Sequence, residues 1–372
     1  MKIIFAIKTM LVSGGAERVL SEVASHLINL DYEVSVLSFD KKKELSFYKL
    51  DKNIAELKIG DNLYSKLYSK NILPFQFVKK ILSLRKEIKY SKPDVVIGFN
   101  YSMYFLLAIS LIGLNVNLIC SEHSSYESFK KKPIALFFLK ILSFFKVRFF
   151  LVSHFAYNTF PKNIKKKSQV IENPISSDFK FDLNTPQKSN LILSIGRLSS
   201  EKNHLELIDS FSQVSGKYPS WKLKIIGNGP LKKEIESLII EKRLQKKVLL
   251  EPETKEIQKE YFKAKFFVLS SNYEGFGLVV AESLSCGLPV ILYEKCNVLG
   301  FVKNMENGIT IKNSSLNQVN LTDAIERLMS DKTLLLDMSQ KSRMPVGYDM
   351  SSIIQKWDRA LKNYFSEQKD NY

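Results

Sequence analysis

Short apolar runs rich in Ile, Val, Leu and Phe recur along the chain, separated by longer amphipathic or polar stretches. This is the pattern of parallel strands buried on both faces and joined by crossover helices. In the first half it predicts strands at Lys2–Lys8, Glu33–Phe39, Asp94–Phe99, Val116–Ser121, Arg148–Ser153 and Gln169–Glu172. In the second half it predicts Leu191–Gly196, Leu223–Gly227, Val248–Glu251, Phe266–Ser270, Pro289–Tyr293 and Gly308–Ile311. Lys8 breaks the apolar run at the amino terminus and no small-residue cleavage pattern follows, so this segment is expected to be a first strand rather than a secretory signal.

Both halves open with a strand, a loop and a helix: KIIFAIK leads into GGAERVLSEVASHL, and LILSIG into RLSSEKNHLELIDSF. The expected fold class is α/β, with two Rossmann-like domains facing a central cleft. The Pro-containing polar stretch Asn173–Asn190 is the expected linker. A boundary near residue 185 gives domains 1–185 and 186–372. A last amphipathic helix, at about 351–366, carries Ile353, Ile354, Trp357, Ala360, Leu361 and Phe365 at helical spacing and is free to pack on either domain.

A length of 372 residues leaves room for two cores, and 45% apolar with 25% charged residues excludes disorder and coiled coil. Cys120, Cys286 and Cys296 form no disulfide framework and no zinc-spaced pair, which fits a reducing, cytoplasmic compartment. The net charge of +17 is uneven: residues 1–185 hold 28 basic and 16 acidic side chains, residues 186–372 hold 27 and 22. The first half is therefore expected to meet an anionic partner, and no nucleic-acid module is recognisable.

Ligands in doubly wound sheets sit beyond the carboxyl ends of the strands, and the unusual residues of this chain fall there. Gly14 and Gly15 follow the first strand and either admit a ligand to the backbone or simply make the turn. Glu122-His123 follows a later strand of the same half, with His123 at the edge where the cleft is expected. Gly196-Arg197 and Lys202 flank a helix start, where a guanidinium fork, an ammonium and free amides can converge on a diphosphate. Glu274 ends a post-strand loop, Gly275 to Leu278 open the next helix, and Glu282 lies about two turns in. The Gly227-Asn228-Gly229-Pro230 turn is a poor dinucleotide fingerprint, because Pro230 and Lys232 stand where freedom and a small residue are needed.

Four blocks in this order, GGAER at 14–18, SEH at 121–123, GRLSSEK at 196–202 and EGFGLVVAE at 274–282, resemble the retaining glycosyltransferases of the GT-B fold, family four (glycosyl transferases group 1). The resemblance spans nearly the whole chain. It implies transfer of a hexosyl or N-acetylhexosaminyl group from a nucleotide sugar, a UDP-sugar first, to a saccharide acceptor. Catalytic roles would fall to Glu274, His123, Arg197 and Lys202. The donor site would comprise Gly14, Gly15, Gly196, Arg197, Lys202, Glu274, Gly275, Phe276, Gly277, Leu278 and Glu282. By the same resemblance Arg197 and Lys202 bind the diphosphate, Glu274 the transferred sugar and Glu282 the ribose. Two departures stand out: Asn203 replaces the usual Gly, and Glu294–Asn304 lacks the usual Gly-Pro.

No D-x-D and no ligand-spaced His, Cys and carboxylate cluster occurs, so no metal and no cofactor is expected. The segment 130–150, KKKPIALFFLKILSFFKVRFF, places Lys132, Lys140, Ser143 and Lys146 on one side of a helix. The opposite arc holds Ile134, Leu136, Phe137, Phe138, Ile141, Leu142, Phe144 and Phe145. Such a cationic amphipathic helix suits the inner face of an anionic membrane, with a lipid-linked saccharide of surface polysaccharide synthesis as acceptor. The competing readings are an NAD-dependent oxidoreductase and a non-catalytic membrane-surface binder.

Overall fold

The computed structural model describes residues 1–60, 74–124, 126–130, 133–142, 145, 147–179, 189–312 and 320–369, except the side chains of 74–76 and 368–369. The chain divides into two units, residues 1–174 with 351–372 and residues 175–350.

The first unit carries a parallel sheet of β1 (Lys2–Ala6), β2 (Glu33–Ser38), β3 (Ala55–Lys58), β4 (Val95–Phe99), β5 (Asn117–Glu122), β6 (Val147–Leu151) and β7 (Ser168–Val170), in the order β3-β2-β1-β4-β5-β6-β7. Every residue of the VVIGF run of β4 is buried, as a central strand covered on both faces requires. β3 was not expected. Its AELK sequence lies at the sheet edge, half of it exposed, and so has no apolar run to betray it.

The second unit repeats the design with β8 (Leu191–Ile195), β9 (Lys222–Ile226), β10 (Val248–Glu251), β11 (Phe266–Leu269), β12 (Val290–Tyr293) and β13 (Gly308–Ile311), ordered β10-β9-β8-β11-β12-β13. Successive strand residues alternate between two cores. Ile192, Phe266, Val268 and Ile291 join one cluster, while Leu193, Phe267, Leu269 and Leu292 join the other. The fold is thus two Rossmann-like α/β domains, each sheet covered on both faces.

One boundary differs from expectation, and the last helix, left free by the sequence to pack on either domain, joins one of them. The first division falls after Pro174 rather than near 185, a position outside the described residues. Ile175 N already bonds Tyr348 O at 2.8 Å, and Phe179 is buried edge-on against Tyr261, so this stretch belongs to the second core. The last helix, Met350–Lys369, serves the first unit rather than the domain that precedes it in the chain. Its Trp357 is buried against Phe5, Phe99 and Phe150, and Lys356 pairs with Glu172 at 2.8 Å.

Candidate active site

In both sheets the strand order reverses beside the first strand, between β1 and β4 and between β8 and β11. Loops diverge at such a switch point and open a crevice beyond the strand ends. In the second unit the loops after β8 and β11 are stitched together there. Asn272 N bonds Glu201 O at 2.8 Å, Asn272 Nδ2 bonds Ser200 O at 3.2 Å, and Ser270 Oγ donates to Lys202 O at 2.9 Å.

This stitching brings Lys202 and Glu274 together, Nζ to Oε1 at 2.6 Å. The Lys202 stem runs across Gly196, where a Cβ would lie 3.3 Å from its Cδ. Arg197 is exposed on the same loop. Both cations act on Glu201: burial pushes that carboxyl up, but bonds to Ser199 and to backbone, with the charges of Arg197 and Lys202, hold it below its ordinary value. The two cations therefore share one electrostatic neighbourhood, as a diphosphate site needs.

Gly227 and Gly229 have a packing role. A Cβ on Gly227 would lie 2.0 Å from Gly196 O, and one on Gly229 would lie 2.3 Å from Leu198 O. Leu198 N also bonds Asn228 O at 2.9 Å. The turn that half resembles a dinucleotide fingerprint is the bed on which the Gly196-Arg197-Leu198 loop rests.

Asn203 has φ 53° and ψ 41°, the left-handed region, directly before the helix His204–Ser215. Glycine suits this position best and Asn is among the few side chains that tolerate it, so the departure at 203 preserves the turn and leaves Lys202 in place. Gly277, at φ 80° and ψ 47°, caps the helix Leu278–Ser285, with Gly275 and the buried Phe276 just before it. Glu282 is buried within that helix and accepts a bond from Tyr261 Oη at 2.7 Å. Cys296 lies near Glu274, and burial followed by that carboxylate's charge pushes its thiol up to about 12.

In the first unit, Gly14 precedes the helix Gly15–Leu27, and Arg18 N bonds its carbonyl at 3.1 Å. The Glu17 carboxylate folds over Gly14, with Oε2 only 1.9 Å from where a Cβ would stand. His123 follows β5, half-buried. Its ring stacks on Phe99 at 4.7 Å between centroids, and its Nε2 lies 3.1 Å from Ser121 Oγ. Burial pushes its imidazole down to about 3, against the pull of the Asn173 side chain, so His123 is neutral at physiological pH. Glu122 is buried behind it, with Oε1 accepting from Ser124 N at 2.8 Å.

The sequence-predicted residues thus fall into two sets, Gly14, Gly15 and His123 in the first unit and the remainder in the second. Tyr261 and Asn173 were not anticipated. They meet Glu282 and His123 through the fold alone, and no local spacing signals either.

The segment at 130–150 is a shorter helix, Pro133–Leu142. Ala135, Leu139 and Leu142 are buried, and Phe138 stacks on Phe105 at 3.8 Å. Ile134 is 64% exposed and Phe137 59%, with Phe145 exposed just beyond. Among the described residues of the expected apolar arc, Leu142 is buried, while Leu136, Phe138 and Ile141 are half-buried. Lys132, Ser143, Phe144 and Lys146 lie outside the described residues. Among the described residues no helix is long and apolar enough to cross a membrane.

The profile of the glycosyl transferases group 1 matches residues 176–344, and that of glycosyltransferase family 4 matches residues 13–179. The chain belongs to the group 1 glycosyltransferases. The transferase is 29% identical over 368 residues, 97% of this chain and 98% of the other, to a Campylobacter jejuni enzyme. That enzyme is the GalNAc-alpha-(1->4)-GalNAc-alpha-(1->3)-diNAcBac-PP-undecaprenol alpha-1,4-N-acetyl-D-galactosaminyltransferase. In fold it is similar to the sucrose-phosphate synthase of Thermosynechococcus elongatus, with a TM-score of 0.81, 15% identity and coverage of 99% and 100%. It is also similar to Anabaena Alr3699/HepE in complex with UDP and glucose, with a TM-score of 0.77, 16% identity and coverage of 98% and 100%. The fold likenesses make the architecture GT-B, and the two matching profiles make the protein a glycosyltransferase.

Proposed function

We propose that the transferase moves a hexosyl or N-acetylhexosaminyl group from a UDP-sugar to a saccharide carried on a lipid diphosphate, with retention at the anomeric carbon. The observation that carries this reading is the Lys202–Glu274 pair beside Arg197 at the switch point of the second sheet. A diphosphate leaving group needs cations and amides, and a sugar needs a carboxylate to hold its hydroxyls. Arg197, Lys202 and the amides around Gly275–Leu278 supply the first, and Glu274 the second. Glu282 would hold the ribose, and His123, Gly14 and Gly15 are proposed as substrate-binding residues of the first unit.

In the reaction the bond from C1 to the β-phosphate oxygen breaks while the acceptor oxygen bonds C1 on the same face. The acceptor's proton passes to the departing phosphate oxygen, so neither a protein nucleophile nor a metal or other cofactor is required. His123, being neutral, contributes hydrogen bonds and steric shape rather than charge. The lipid-linked acceptor is supported by the activity of the Campylobacter relative.

Exposed Ile134, Phe137 and Phe145, beside exposed Lys130 and Lys140, support a peripheral seat on the anionic cytoplasmic face of the membrane. Glu274→Gln tests the central assignment: turnover of the UDP-sugar should fall at least about 100-fold while UDP still binds. Near-normal turnover would remove Glu274 from the mechanism. An NMR measurement of the anomeric coupling in the product tests retention.

A further inference from the structure

Asn100, the residue that follows β4, has φ 65° and ψ 150°. This region is almost confined to glycine, and side chains held there cluster at functional sites. No side-chain bond of Asn100 offsets the strain. The carboxamide does not cap the helix Tyr101–Ser110, and among the described residues it makes no hydrogen bond.

The position in the sheet gives the strain a purpose. β4 lies between β1, which leads to Gly14 and Gly15, and β5, which leads to His123. It is the strand across the order reversal from β1, the place that β11 holds in the second unit, and the loop after β11 supplies Glu274. The Asn100 peptide is also fixed relative to His123. Asn100 N bonds Ser121 O at 3.1 Å, Ser121 Oγ meets His123 Nε2, and the ring of the preceding Phe99 stacks on His123.

We propose that Asn100 is a further substrate-binding residue of the transferase, its carboxamide bonding hydroxyls of the saccharide acceptor. The proposal rests on the glycosyl-transfer reading and deepens it. A carboxamide offers two donors and an acceptor without charge, which matches vicinal hydroxyls better than a phosphate. A site built to bond a hydroxyl loses affinity sharply when its partner is removed.

Asn100→Gly removes the carboxamide and relieves the backbone, whereas Asn100→Ala removes the carboxamide and keeps the strain. The assay is UDP release from UDP-sugars against a panel of undecaprenyl-diphosphate-linked mono- and disaccharides, alongside thermal unfolding with and without UDP. Both variants should raise the acceptor KM at least about tenfold and keep the wild-type UDP-induced shift. Asn100→Gly alone should raise Tm by about 2 °C, and Asn100→Ala should lower it. An unchanged acceptor KM in Asn100→Gly overturns the proposal while leaving the transferase reading intact. Absence of transfer by the wild-type protein overturns that reading, and this proposal with it.

Discussion

Lys202 Nζ and Glu274 Oε1 lie 2.6 Å apart, joining the loops after β8 and β11 across 72 residues of sequence. One side chain suits a phosphate and the other a sugar, which is what the proposed donor site requires of neighbouring groups.

The pair is partly buried, and removing one partner leaves the other charge without compensation. Lys202→Met should cost about 1–3 kcal/mol, between the values for exposed and fully buried pairs. In the double variant with Glu274→Gln the loss should be smaller than the sum. Urea unfolding of the four proteins measures the coupling, and additivity within about 0.3 kcal/mol would mean the pair does not exist in solution.

His204 is buried at the start of the helix behind Lys202. Burial pushes its imidazole down to about 4, the Lys202 charge adds to this, and the nearby Gly196 backbone opposes it. The unfolded chain takes up this proton near pH 6.5 and the folded chain only near pH 4. Stability from the neutral imidazole is therefore full above pH 6.5 and lost as pH falls toward 4, by up to about 3 kcal/mol. His123 acts in the same direction, down to about 3. His204→Gln should flatten the dependence of unfolding free energy on pH between 6.5 and 4, and an unchanged slope would contradict the burial.

Trp357 stacks on Phe99 at an interplanar angle of 9°, and Phe99 in turn stacks on His123. Among the described residues the buried indole nitrogen has no hydrogen-bond partner. Packing alone therefore holds the ring, and Trp357→Ala should cost about 3–5 kcal/mol. Trp357→Phe, which forfeits volume but no polar bond, should cost clearly less. Equal losses in thermal and denaturant unfolding would show that the indole N–H matters.

Asn203 in the left-handed region predicts a ranking. Asn203→Gly should stay within about 0.5 kcal/mol of wild type, and Asn203→Ala should fall by about 1 kcal/mol, both with nucleotide affinity kept. An Ala variant as stable as the Gly variant would place the backbone elsewhere.

Twelve of the strands were legible because short Ile, Val, Leu and Phe runs lie in or beside them, even at the edges β7, β10 and β13, whereas β3 exposes half its residues and carries no such signal. Arg197, Lys202 and Glu274 were legible because switch-point residues follow strands directly. Asn100 follows a strand too, but its importance lies in φ and ψ, which sequence does not display. The assignment of residues 175–179 to the second core depends on Phe179 meeting Tyr261, and that of the last helix on Trp357 meeting Phe99. Both are contacts between residues distant in the chain. Periodicity makes the stretch at 130–150 one wide apolar face because it reports hydrophobicity, while packing separates Leu142 in the core from Phe137 on the surface.

The central claim is that the second unit binds a nucleoside diphosphate through Arg197 and Lys202. The most direct measurement is a thermal-shift panel of UDP, GDP, NAD and the corresponding nucleotide sugars on wild type and Arg197→Ala. A ligand that binds only the folded state raises apparent stability by about 2.7 kcal/mol at a hundredfold excess over Kd. The account predicts a shift with UDP and its sugar conjugates, lost in Arg197→Ala. No shift with any nucleotide at saturation, or one that survives the substitution, would contradict it.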